Sequence, residues 1–311
     1  MSLQRIGFIE LPAHTGQGGF DHAAFHPGTG RLYVAHTAND ALDVIDCARD
    51  IYSHSIPDLK GVAGALVSDE RNLVFTSNRG ENTIGIFSPE GDTSVAKIGV
   101  GIRPNGLAYD AARNLLLAAN VGDPALPGSF TISIVDVEQR RLITNVPVPG
   151  RTRWTLFEAR TGSFYVNIAD PSQIVVISAA NPSRIERIID IPAVGPHGLD
   201  LDVDQGRLFC ACDAKKLVCL DAHSGHILAQ AELSGVPDVI FFNPPLKHLY
   251  VAVGDPGVID VFDTDTVQLI ESVSTEPGAH TIALEPQAHK VYAFLPKSHR
   301  AAVYVDQPVR G

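Results

Sequence analysis

At 311 residues, with 45% hydrophobic and 19% charged side chains, the chain is apolar enough to fold and has no run long enough to cross a bilayer, which excludes disordered and membrane-spanning classes. A formal charge of −11, with no offsetting basic patch in the sequence, argues against nucleic acid and anionic membranes as partners. The 27 Gly and 21 Pro against a single Met favour short strands and tight turns over helices.

The segment 4–11 reads as a strand with no secretory apolar region, so the expected compartment is the cytoplasm. From there the chain repeats. Strand-like runs end at Asp46, Ser88, Asp136, Ser178, Asp221, Asp263 and Asp306, with spacings of 42, 48, 42, 43, 42 and 43 residues. A period of about 43 residues is that of a four-stranded propeller blade, and seven units fit. In the third unit the expected strands are Pro104–Asp110, 114–119, Thr131–Asp136 and 141–148. The one long spacing comes from an insertion at 121–129, rich in Pro and Gly, which enlarges a loop without disturbing the strands. After Asp306 too few residues remain for a fourth strand, so 4–11 is expected to complete the last blade and close the ring. The fold class is therefore all-β, a seven-bladed β-propeller forming one domain over 1–311. Four cysteines are too few for a disulfide framework in a chain this long; Cys210, Cys212 and Cys219 lie in apolar strand-like runs and read as buried thiols.

The runs Arg31-Leu32-Tyr33-Val34-Ala35, Ser163-Phe164-Tyr165-Val166-Asn167 and His248-Leu249-Tyr250-Val251-Ala252, each after a first strand and a polar turn, resemble the YVTN or YncE-type seven-bladed β-propeller family. The resemblance covers nearly the whole chain. It implies the propeller fold and a broad functional neighbourhood of binding proteins, 6-phosphogluconolactonase-like and gluconolactonase-like hydrolases and metal-assisted lyases.

The leading residue of each first strand is expected at the mouth of the central channel. In register these residues are Asp21, Ala63, Asn105, Arg153, His197, Asp238 and His280. Ring closure sets His197, Asp238, His280 and Asp21 side by side, a mixed imidazole and carboxylate set suited to a divalent cation of the zinc, manganese, iron or nickel type. The same groups on a wet channel rim can instead hydrogen-bond one another and water. His22, beside Asp21, is a candidate further ligand or proton shuttle, whereas His26 reads as a turn residue and His223, His226, His289 and His299 as solvated. Arg153 is a candidate for orienting an anion or steadying an oxyanion, with a salt bridge to Asp21 or Asp238 as its structural alternative. The loops after the second strands bring Thr37, Asn78, Asn120, Ala169, Asp213, Gly254 and Pro296 to the rim, and Asn105, Trp154, Asn78 and Asn120 are candidate substrate contacts.

No nucleophile elbow, P-loop, dinucleotide fingerprint or His-Glu-x-x-His motif is present. The expected function is a divalent-metal-dependent hydrolase or lyase, lactonase-like, acting on a small molecule at the channel mouth. The alternative is a non-catalytic propeller that binds a protein, a metal or a small ligand.

Overall fold

In the computed structural model, which describes residues 3–14, 16 and 18–307, seven four-stranded antiparallel sheets form a closed ring. Each sheet runs inner to outer in chain order except the last, in which Leu3–Glu10 is the outermost strand beside Arg300–Asp306. The ring closes as the sequence leads one to expect. The repeat ladder falls on the last residues of the third strands, as in Ala41–Asp46, Thr131–Asp136 and Val258–Asp263. The insertion is a loop between Leu115–Asn120 and Thr131–Asp136, pinned by the Ser129 hydroxyl, which donates to the Asp123 carbonyl at 2.7 Å. Apart from one short helical turn at Thr37–Asn39, the regular elements are all strands, and no helix among the described residues is long and apolar enough to cross a membrane.

Burial explains the strand patterns. Second and third strands are buried on both faces and so read as continuous apolar runs, whereas outer strands such as Ile227–Glu232 alternate. The core lies between blades. One hydrophobic cluster joins Tyr250, Ile259 and Val261 of the sixth blade to Ile282, Val291 and Tyr304 of the seventh, and another joins Ile9, Tyr292 and Val303 to Leu32 and Ile45 across the point of closure. Burying such side chains contributes about 1.5–3 kcal/mol each, so every blade depends on its neighbours.

The tyrosines of the repeat motif latch adjacent blades. Tyr250 donates to Asp306 at 2.6 Å, Tyr292 to Asp50 at 2.8 Å and Tyr33 to Asp92 at 3.3 Å. A buried phenol needs an acceptor, and a carboxylate of the next blade, in a turn or at a strand end, supplies it. Cys47, Cys210, Cys212 and Cys219 are free and buried.

Candidate functional site at the channel mouth

The inner strands approach one another most closely just after the expected ring residues. A Cβ on Gly64 would sit 2.3 Å from the Asn105 carbonyl oxygen, on Gly106 2.6 Å from that of Arg153, and on Gly198 2.4 Å from that of Asp238. Only glycine admits the neighbouring backbone there, and this contact sets the diameter of the mouth. Where the ring lacks such a glycine, the amide donates instead, as His22 N–H does to the Ala63 carbonyl at 3.0 Å.

Four of the expected groups form one chain of ion pairs. His197 Nδ1 donates to Asp213 at 2.7 Å, His197 Nε2 faces Asp238 Oδ1 at 3.2 Å, and the other Asp238 oxygen lies 2.8 Å from His280 Nδ1. Burial alone would keep His197 neutral, but the Asp238 charge and the hydrogen bonds to Asp213 and Asp238 outweigh it and push the pKa up to about 9. For Asp238 burial opposes ionisation, yet His197 and His280 hold the carboxyl well below the ordinary range. Asp213 is lowered and His280 raised in the same way, each against its own burial, by His197 and Asp238 respectively. Asp21 stands apart from this chain, with Oδ2 3.2 Å from Arg79 and Oδ1 3.4 Å from His22.

His22 behaves oppositely to His197. It lies just beneath the ring, 7% exposed, with its ring centroid 4.2 Å from that of Trp154. Burial lowers its pKa despite the pull of Asp21 and Asp238, so it is neutral while His197 is protonated.

The opposite arc is basic, which the net charge did not foretell. Arg153 pairs with Asp213 at 3.2 Å rather than with Asp21 or Asp238. Arg151 has its pKa lowered by burial and by the nearby guanidiniums of Arg153, Arg79 and Arg103, which places four cations in one another's field. With His197 protonated, both its nitrogens donate to carboxylates, and Arg153, 3.0 Å from Nε2, makes a like-charge contact rather than a hydrogen bond. Arg79 Nε, Arg153 Nε and Asn105 Oδ1 are buried with no hydrogen-bond partner among the described residues. An anion seated between the arginines would satisfy the two donors and relieve the repulsion.

Other expectations land elsewhere. Asn78 and Asn120 are 0% exposed, and their amides donate inside their own sheets, to Thr83 at 3.0 Å and to Thr131 and Ser133 at 2.9 Å, so neither reaches the mouth. Trp154 lies one layer below it. His26 is not a turn residue but the last residue of Ala23–His26, 1% exposed. His299 lies 3.3 Å from His14, which in turn contacts His36 at 2.9 Å. Asp213, expected only on the rim, proves a direct partner of His197. Arg79, Arg103 and Arg151 were missed because they precede or follow strand positions on which the repeat alignment rests.

The donors do not fit a divalent ion as arranged. Both nitrogens of His197 face carboxylates, a guanidinium stands beside Nε2, and among the described residues no three His, Cys, Asp or Glu side chains converge in a metal-holding group.

The geometry defines a closed seven-bladed propeller with a charged channel mouth, and likenesses to solved structures agree with the fold. The hydrazine synthase of Kuenenia stuttgartiensis superposes with a TM-score of 0.83 over 96% of this chain and 98% of that one at 13% identity. A chain of a mitotic checkpoint complex gives 0.82 over 97% and 91% at 11% identity. No family model matches the chain. Uncharacterized YncE proteins of Salmonella typhimurium and Salmonella typhi are 25% and 24% identical over 211 residues, which is 67% of this chain and 58% of theirs. The chain is a seven-bladed β-propeller, and its relatives support a likeness to the YncE-type propeller family.

Proposed function

We propose that the channel mouth binds a small carboxylate-bearing molecule and acts on it by acid–base chemistry of the hydrolase or lyase type. The supporting observation is the pair of buried, partnerless guanidinium nitrogens on Arg79 and Arg153 beside two histidines in opposite protonation states. Groups whose environments drive their pKa values apart are suited to serve as base and acid on one substrate. In the lyase form the arginines hold the carboxylate and neutral His22 takes the proton from the adjacent carbon. The electron pair freed there forms the double bond, and the departing group leaves with a proton from His280, whose side chain is 36% exposed. In the lactonase-like form His22 takes the proton of the attacking water and Arg153 faces the oxyanion of the tetrahedral intermediate, whose collapse breaks the ring C–O bond as the leaving alkoxide takes a proton from His280. A divalent ion would first have to release His197 and His280 from Asp238, so no step is routed through one. Element analysis of protein purified without added metal tests that point, with stoichiometric zinc, manganese, iron or nickel as the result against it.

The reading of a binding site without turnover is favoured by one fact: every acid and imidazole of the ring already has an ionic partner. A panel of lactones and β-eliminable carboxylates separates the two. Turnover in the native protein that falls at least about 100-fold in His22→Gln, the usual scale for losing a general base, supports catalysis. Binding of the same compounds with no turnover leaves a carboxylate-binding propeller.

A further inference from the structure

The channel has a second end, and its chemistry is the reverse of the first. Beyond His22 and Trp154 it widens into a funnel of about 710 Å³ that opens where the inner strands finish. Its wall carries Phe25, Leu66, Tyr109, Leu156, Phe157 and Phe241, and among the described residues no Lys or Arg lines it. That volume is within the roughly 300–1,000 Å³ of small-ligand sites, which are likewise mostly apolar with a few placed polar groups.

The charges that do reach the funnel are acidic. Asp69 and Glu70 stand at its rim. Asp69 is half exposed and also takes the Gly28 amide at 2.7 Å, while the neighbouring cation Arg71 is engaged outside by the Ala111 carbonyl at 2.7 Å. Outside that lining, Asp200 occupies on its inner strand the position held by the lining residues Leu66, Leu156 and Phe241 on theirs, as the strand pairing shows. Its carboxylate accepts the amides of Phe242 and Leu201 at 2.7 and 2.8 Å, and burial raises its pKa to about 6 with no cation named among the groups acting on it. An acid set where other blades place hydrocarbon is costly unless something compensates it.

We infer that the funnel is a binding site for a flat aromatic molecule carrying an ammonium group. The rings would take the aromatic body, and Asp69, Glu70 and Asp200 the charge, assisted by the electron-rich faces of the surrounding aromatic side chains. This site meets the mouth at His22 and Trp154, which line its inner end, but the charge of its ligand is opposite to that of the anion site's.

The protein carries its own reporter, because Trp154, a lining residue, is the sole tryptophan. Titration with 4-phenylbutylammonium is expected to change Trp154 fluorescence saturably, with a Kd about 10-fold below that of 4-phenylbutanol and lower still relative to 4-phenylbutyrate, since one buried charge pair is worth about that factor. Asp200→Asn and Glu70→Gln, both near-isosteric, should bring the amine's affinity toward that of the alcohol. Equal affinity for the three compounds, no saturable change with any of them, or no effect of either acid substitution would overturn the inference.

Discussion

Asp238→Asn removes the carboxylate between the two ring imidazoles while keeping the shape of the side chain, and its consequence can be worked from the titration of His197. That group rises from 6.5 in the unfolded chain to about 9 in the fold, a difference worth about 3 kcal/mol. The folded pKa lies above the unfolded one, so the stabilisation is fully present below pH 6.5 and is lost as pH climbs through 9. Without Asp238 the burial that opposes charging is answered only by Asp213, so the His197 pKa should fall toward or below 6.5. Urea unfolding of native protein and Asp238→Asn at about pH 6, 7 and 10 should therefore show deficits near 3 kcal/mol, about 2–3 kcal/mol and close to zero in turn. Proton NMR of the His197 ring reads the pKa directly. A His197 that still titrates near 9 in the variant, or a stability deficit equally large at pH 10, would refute the assignment of the charge to this pair.

Asp200 is shifted in the same direction, but removing its charge stabilises the fold rather than weakening it. Its pKa of about 6 lies above the unfolded 3.8, so stability falls as pH rises across that interval, and Asp200→Asn should gain up to about 3 kcal/mol above pH 7 but nothing below pH 4, as denaturant titrations at the two ends would reveal. Gly198→Ala would set a methyl 2.4 Å from the Asp238 carbonyl oxygen, forcing two inner strands apart; a loss of about 2–4 kcal/mol in unfolding free energy is expected, with a fall in the His197 pKa as Asp238 is displaced. Deleting residues 1–10 would strip the strand that covers Arg300–Asp306 and leave an open sheet edge, so light scattering should detect association where the full chain stays dispersed.

The architecture was legible because a propeller writes its period into the chain. Asp46, Asp136 and Asp263 end equivalent strands, and the Tyr33, Tyr250 and Tyr292 positions recur because each must find a carboxylate of the neighbouring blade. The ring was legible for the same reason, since His197, Asp238, His280 and Asp21 hold corresponding positions on inner strands. What failed lies where the repeat stops governing direction. Asn78 and Asn120 were placed on the rim by counting alone, although each stands across from a threonine, Thr83 and Thr131, and that cross-strand pair draws the amide into the sheet. Arg79, Arg103 and Arg151 lie in connecting segments whose side chains are aimed by loop conformation, so an acidic overall composition concealed a basic arc. His22 sits beside the ring in sequence, yet its pKa is lowered by a burial that sequence spacing does not show, with Trp154, 132 residues away in the chain, in ring contact with it.

The anion site stands or falls on calorimetric titration with malonate of the native protein, Arg79→Ala and Arg153→Ala at low and moderate ionic strength. Saturable binding in the native protein, weakened by salt and by about 10-fold or more in each variant, is what the partnerless Nε groups of Arg79 and Arg153 at the mouth require. Heat no different from dilution in the native protein, or equal affinity in all three, would mean that the arginines serve only to neutralise Asp21 and Asp213.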